Sequence, residues 1–176
     1  MKLFLRRTDK EELIFASDEG IKLRSFSKNI ETIKVPGFDK ENCHMNDGKC
    51  DKQGNFLFGS MDKLENRPIG SLYRLNRQKK IETLFKGVVI SNGPAFSTDG
   101  KTMYFSDSFN RKILKFNYNG ESKFNDNYEV FYTFEKEDNA PDGVCVDSED
   151  RVWVAVWGGS KIIGINKLGA KVSEVK

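Results

Sequence analysis

The stretch Asp142-Gly143-Val144-Cys145-Val146-Asp147, followed by Arg151-Val152-Trp153-Val154-Ala155, decides the fold, because the same phrase occurs three times in the chain. Each copy has a polar residue before a glycine, a few apolar residues, an Asp or Ser, a turn and a strand. The other two copies are built around Gly48 and Gly93, so the marker glycines lie 45 (93 − 48) and 50 (143 − 93) residues apart. A period of about 40–50 residues made of short strands is typical of β-propeller blades. Because equivalent positions of successive blades converge on one axis, the polar residues before these glycines are predicted to meet in space.

The rest of the chain predicts an all-β fold. Alternating apolar runs recur at roughly the 8–12-residue spacing of such folds, and helix signals are weak. Three repeats and a partial one at the start predict about three and a half blades. The predicted units are residues 1–40 as the end of an early blade and its connection, 41–90 and 91–138 as blades, and 139–176 as an incomplete blade. A propeller closes radially to protect its sheet edges, so this count predicts a piece of a larger ring or self-association through open sheet edges.

Composition excludes several classes of protein. The 29 Lys and Arg residues are dispersed and nearly balanced by 26 Asp and Glu residues, which gives a net charge of +3 and no focused basic stripe for nucleic acid. No apolar run approaches the ~18 residues that cross a bilayer, and the N-terminus is too short in apolar residues for a signal peptide. Three cysteines fit neither a disulfide framework nor zinc spacing, and Cys50 and Cys145 are predicted to be buried thiols. We therefore expect a cytoplasmic protein without nucleic-acid or membrane partners.

Four ordered motifs resemble one known family. His44-Met45-Asn46-Asp47-Gly48-Lys49-Cys50-Asp51, with Gly54 and Phe58-Gly59-Ser60-Met61, is similar to the NDGK-x-D-x-x-G…GTM signature of the gluconolactonase, regucalcin (senescence marker protein) and luciferin-regenerating enzyme family. The segments that begin at Pro68 and Ile90 resemble its PLGALYRL and ISNGPAFSPDG…YFADS motifs. Pro141-Asp142-Gly143 through Trp157-Gly158-Gly159 resembles its PDG…LWVA.WGG stretch. The match runs from about Leu13 to the C-terminus.

The resemblance implies a six-bladed propeller that holds a divalent metal near its axis and hydrolyses sugar lactones. Carried over by motif, it assigns Asn92 and Asp142 as metal ligands, Asp142 also as the catalytic base, and Asn46 as a substrate-binding residue. Where the family commonly has an Arg two residues before that asparagine, this chain has His44, which the match places at the substrate. The third family ligand is a Glu in an N-terminal GEGP-like segment. The sequence begins after that segment, which predicts a truncated member.

The ligand types also predict the metal. Carboxylate and amide oxygens are hard ligands, so one divalent ion is expected, with Ca²⁺ as the first prediction and Zn²⁺, Mn²⁺ and Mg²⁺ as alternatives. The predicted function is metal-dependent hydrolysis of small, sugar-type lactones. The alternative is a truncated, catalytically inactive propeller segment that acts as a calcium-binding or partner-binding module.

Several of these residues also have a purely structural interpretation. Asp47, Asn92 and Asp142 each precede a glycine, and an Asx-Gly pair is also a routine turn former. Trp157, before two glycines, either lines the mouth of the channel or packs. Asp51 and Asp147 recur three and four residues after their marker glycines, which predicts a repeated turn or strand-end hydrogen bond.

Overall fold

The computed structural model describes residues 3–7, 12–25, 30–120, 124 and 127–176. The described residues form sixteen strands and one short 3₁₀ turn, Lys136–Asp138. The strands of sheet 1 are β1 (Leu3–Arg7), β2 (Glu12–Ser17), β3 (Gly20–Ser25) and β4 (Ile30–Ile33). Those of sheet 2 are β5 (Cys43–Cys50), β6 (Phe56–Asp62), β7 (Gly70–Leu75) and β8 (Ile81–Val88). Those of sheet 3 are β9 (Ser91–Phe96), β10 (Thr102–Asp107), β11 (Lys112–Asn117) and β12 (Tyr128–Thr133). Those of sheet 4 are β13 (Ala140–Val146), β14 (Val152–Trp157), β15 (Lys161–Ile165) and β16 (Lys171–Val175).

Each sheet is an antiparallel meander whose strands pair in chain order. In sheets 2, 3 and 4 the turn between the first two strands explains the repeated Asp or Ser. The Asp51 carboxylate accepts the Asn55 backbone N–H at 2.7 Å, and the Asp147 carboxylate accepts that of Arg151 at 3.0 Å. In sheet 3 the Ser97 hydroxyl accepts the Thr102 N–H at 2.9 Å. The predicted strand-end hydrogen bond is therefore confirmed.

The sheets pack face to face through three apolar clusters. In β6, Phe56 and Phe58 belong to the cluster shared with sheet 1, whereas Leu57 between them belongs to the cluster shared with sheet 3. Because side chains alternate across a strand, sheet 2 is buried on both faces, and all seven residues of β6 are buried. A third cluster joins sheets 3 and 4. This succession of small sheets is the predicted all-β propeller architecture, which is confirmed.

Two features differ from the sequence-based expectations. Residues 139–176, expected as an incomplete blade, contain four paired strands. The last of these, β16, was not predicted as a strand, because its side chains are mostly polar and exposed. Cys50 and Cys145 are exposed, not buried, whereas Cys43 is buried. Cys145 pairs with Trp153 on the face of sheet 4 that points away from the third cluster, which accounts for its exposure.

Within the described part of the chain, no helix has the length and apolar character needed to cross a bilayer.

Candidate functional site

The first strands of sheets 2, 3 and 4 contact one another in sequence, β5 against β9 and β9 against β13. Each is irregular at its marker motif. Pairing skips from Met45 to Gly48 in β5, from Asn92 to Ala95 in β9 and from Pro141 to Val144 in β13. Such β-bulges bend a strand and re-aim the side chains at the extra residues. The residues read as turn formers, Asp47, Asn92 and Asp142, therefore lie inside strands.

The bulges bring three of the predicted site residues together. Asn46, Asn92 and Asp142 line one cavity of about 350 Å³. This volume lies within the range of about 300–1,000 Å³ that is usual for small-molecule sites. The residues come from three different sheets, so only the packing of the sheets places them at one cavity.

Asn46 and Asn92 are joined by a chain of hydrogen bonds. The Asn46 side-chain amide donates to Asn92 Oδ1 at 2.8 Å and to the Ser91 carbonyl at 2.8 Å. The Asn92 amide donates in turn to Ser108 Oγ at 2.9 Å. Both donors of the Asn46 amide and the orientation of Asn92 are thereby fixed. The Asn92 carbonyl oxygen retains acceptor capacity, because an amide oxygen has two lone pairs.

Asp47, beside Asn46, is held by backbone amides. Its carboxylate accepts the Gly48 N–H at 2.7 Å and the Gly93 N–H at 2.9 Å. Burial raises the pKa of Asp47 above its ordinary value, and the negative charge of Asp142 raises it further. The two amides and the Lys49 ammonium act in the opposite direction. Two carboxyl groups, from β5 and β13, thus lie close enough to interact electrostatically at this cavity.

Asp142 has the free carboxylate of the site. It is half-buried and lines the cavity, and among the described residues it has no hydrogen-bond or ion-pair partner. Its oxygens are therefore available to a ligand.

The cavity has a buried floor and an exposed mouth. Asn92, Ser108 and Met61 are buried, whereas the Trp157 side chain is 73% exposed and Glu65 is also exposed. Of the two alternatives for Trp157, packing or the mouth, the structure places it at the mouth of the cavity. Ser108 and Met61 lie in the YFADS-like and GTM-like motifs, but the sequence reasoning assigned no site role to either. Glu65 adopts a left-handed backbone conformation (φ 54°) in the loop after β6, where no periodicity predicts a side chain's direction.

His44 lies on β5 two residues before Asn46, half-buried, with its Nδ1 3.1 Å from the Met45 carbonyl oxygen. His44 is not one of the described residues that line the cavity. The substrate role of His44 remains a prediction.

The donor set at the cavity fits a hard divalent cation. Asp142 offers a free carboxylate and Asn92 an amide oxygen whose direction is fixed, and both are ligand types that Ca²⁺ and Mg²⁺ accept. In the described ranges there is no group of three or more His, Cys, Asp and Glu side chains placed to hold a metal ion. The ligands assigned by motif, the Asp142 carboxylate and the Asn92 amide oxygen, both line this cavity, and Glu65 brings a second carboxylate to its exposed mouth.

Small sheets packed in succession, with polar residues of three bulged strands at one cavity, define the class of β-propeller proteins. The sequence matches the SMP-30/Gluconolactonase/LRE-like family over residues 3–176, and the chain belongs to that family.

Individual relatives agree with this membership. Regucalcin of Xenopus laevis is 34% identical over 156 residues, which are 85% of this chain and 52% of the relative. A solved luciferin-regenerating enzyme superposes with a TM-score of 0.86 at 30% identity, over 100% of this chain and 63% of that one. Regucalcin of Agrobacterium tumefaciens, described as a calcium-binding protein, superposes with a TM-score of 0.87 at 24% identity, over 97% of this chain and 58% of that one. The chain thus spans little more than half the length of the relatives it matches.

Proposed function

We propose that this chain belongs to a metal-dependent hydrolase of small, sugar-type lactones. The observation that carries the proposal is the convergence of Asn46, Asn92 and Asp142, from three sheets, on one cavity. Membership of a family that includes gluconolactonases supports the reaction class. The calcium-binding description of the Agrobacterium tumefaciens regucalcin supports Ca²⁺ as the first metal to test.

Each residue has a role that follows from its contacts. Asn92 and Asp142 would hold the cation, which when bound supplies Lewis acidity toward the lactone carbonyl and acidifies water. The Asp142 carboxylate is also the base that takes a proton from the attacking water. The water oxygen bonds to the carbonyl carbon, the ring C–O bond breaks, and the released ring oxygen takes up a proton to give the hydroxy acid. Asn46 donates through its amide to Asn92 and Ser91, so its Oδ1 is the atom that can accept a substrate hydroxyl.

The first experiment measures hydrolysis of gluconolactone by proton release in a weakly buffered dye assay, with and without Ca²⁺. Rates above the spontaneous background that disappear with a chelator are expected. Calcium binding without turnover would instead favour the alternative, a non-catalytic binding module. Background rates and no metal binding by the folded chain would contradict both.

Asp142→Ala tests the site assignment. We expect it to abolish both Ca²⁺ binding, measured by calorimetry, and lactone hydrolysis, because it removes the carboxylate that is proposed both to hold the cation with Asn92 and to act as the base. Asp99→Ala, in an exposed turn of sheet 3, is the matched control and should leave both unchanged. Retention of binding and activity in Asp142→Ala would refute the assignment.

The remaining expectations concern the binding partner, the cellular location and self-association. A small-molecule lactone is the proposed partner, and the cytoplasmic location rests on the sequence alone. Self-association through open sheet edges, expected from the sequence, stays a prediction.

A further inference from the structure

The bulge of β5 is hydrogen-bonded to the bulge of β9. The Asn46 amide bonds to Ser91 and Asn92, and the Asp47 carboxylate accepts the Gly93 N–H at 2.9 Å. Two adjacent residues of one sheet therefore hold three successive residues of the next. The middle one of the three, Asn92, is a candidate metal ligand.

Asp47 is not among the described residues that line the cavity, so it is not placed as a ligand in this arrangement. One carboxylate oxygen accepts the Gly48 N–H and the other accepts the Gly93 N–H. The Asp47 side chain is half-buried and is absent from the described residues that line the cavity. Asp47 can therefore act on a bound cation in two ways, through the backbone that it holds and through its charge, which lies close enough to interact with Asp142.

The bulge of β9 is also confined from the opposite side. A Cβ atom on Gly93 would come within 2.7 Å of the Val144 Cγ1 atom of sheet 4. Gly93 thus lies between the Asp47 carboxylate and the Val144 side chain. Since Ser108 accepts the Asn92 amide at 2.9 Å, the backbone and side chain of Asn92 are both fixed by neighbours.

We propose that Asp47 is a positioning residue, which sets the direction of the Asn92 carbonyl oxygen toward the cation by holding the Gly93 N–H from the neighbouring sheet. This inference rests on the proposed metal site. Partners that orient a metal ligand are often nearly as important as the ligand, and their loss typically weakens metal affinity about 10–100-fold. The geometry of the site is thereby a property of the contact between two sheets, not of the Asn92 strand alone.

Asp47→Asn is the direct test. The substitution keeps the shape but replaces one acceptor oxygen by an NH₂ donor, which must face one of the two amide N–H groups. We expect Ca²⁺ affinity, measured by calorimetry, to fall about 10–100-fold. We also expect faster hydrogen exchange at the Gly93 amide in the calcium-free protein, a readout independent of any metal.

Asp150→Asn is the matched control. The Asp150 carboxylate also joins two sheets, because it accepts the backbone N–H of Thr98 at 2.6 Å and the hydroxyl of Thr98 at 2.9 Å. Asp150 lies in the turn between β13 and β14 and is not among the described residues of the cavity. Its loss should weaken this contact and leave Ca²⁺ affinity and Gly93 exchange unchanged.

The outcomes separate the inference from the proposed function. Unchanged Ca²⁺ affinity in Asp47→Asn, or an equal loss in Asp150→Asn, would overturn the positioning role. Weaker binding together with faster Gly93 exchange in Asp47→Asn alone supports it, even if the wild-type chain hydrolyses no lactone and the enzymatic proposal fails. Weaker binding with unchanged Gly93 exchange would assign the loss to the removed charge and would overturn the positioning role. A folded wild-type chain that binds no Ca²⁺ would overturn both. Should Asp47→Asn fail to fold, Asp47→Glu keeps the charge but displaces the carboxylate by one methylene, and wild-type affinity in that variant would again overturn the inference.

Discussion

Gly93→Ala probes the point where three sheets meet. Gly93 has a φ of +81°, a backbone conformation that costs an alanine roughly 1–2 kcal/mol. The new methyl group would also lie 2.7 Å from Val144 Cγ1, and overpacking of a core typically costs about 1–3 kcal/mol. Because the valine side chain is stiff, it cannot swing away. The two costs together predict a loss of about 2–5 kcal/mol in the free energy of unfolding.

Gly87→Ala separates the two costs. Gly87 has a φ of +83°, nearly that of Gly93, but a Cβ built on it has no atom within 4 Å. Its substitution should therefore cost only the conformational part, roughly 1–2 kcal/mol. The assay is urea unfolding, followed by far-UV circular dichroism and by tryptophan fluorescence, with coincident transitions as the check on two-state behaviour.

A double-mutant cycle with Val144→Ala identifies the steric contact. Removing the Val144 methyl groups should relieve the clash, so that the double variant is more stable than the sum of the single losses by about 1–3 kcal/mol. If Gly93→Ala costs no more than Gly87→Ala, or if the cycle shows no coupling, the close approach of β9 and β13 at the site is wrong.

Two further predictions concern the Asp147 carboxylate of sheet 4 and Trp157 at the mouth of the cavity. Hydrogen bonds from Trp153 and Arg151 hold the pKa of Asp147 well below its ordinary value of 3.8, so its contribution to stability is present above that pH and is lost as the pH falls. The urea midpoint of Asp147→Asn should therefore decline less steeply than that of the wild type on acidification below about pH 5, and parallel curves would contradict this. Trp157→Ala should change the free energy of unfolding by no more than about 0.5 kcal/mol, because the side chain is 73% exposed, yet raise KM for gluconolactone. An unchanged KM would exclude Trp157 from the substrate site.

The second and third strands of sheets 2, 3 and 4 could be read from the sequence. Runs such as Phe56–Asp62 are bounded by turn residues and are rich in aromatic and aliphatic side chains. The first strands of sheets 2, 3 and 4 could not be recognised in the same way. Each contains an Asx-Gly pair, which favours a turn when only neighbours in sequence are considered. In the folded protein the pair forms a bulge, because the neighbouring strand and the next sheet satisfy its backbone groups.

The sequence by itself determined the repeat, the all-β class and, through its motifs, the pairing of Asn92 with Asp142 in one site. These follow from periodicity and residue type, which are local properties. Tertiary structure alone decided that Ser108 and Trp157 share the cavity and that Asp47 turns its carboxylate to the amide of Gly93. Such contacts join residues tens of positions apart, in different sheets, and their geometry depends on how the sheets pack. A pattern of residues that are neighbours in sequence does not specify which residues of different sheets come into contact.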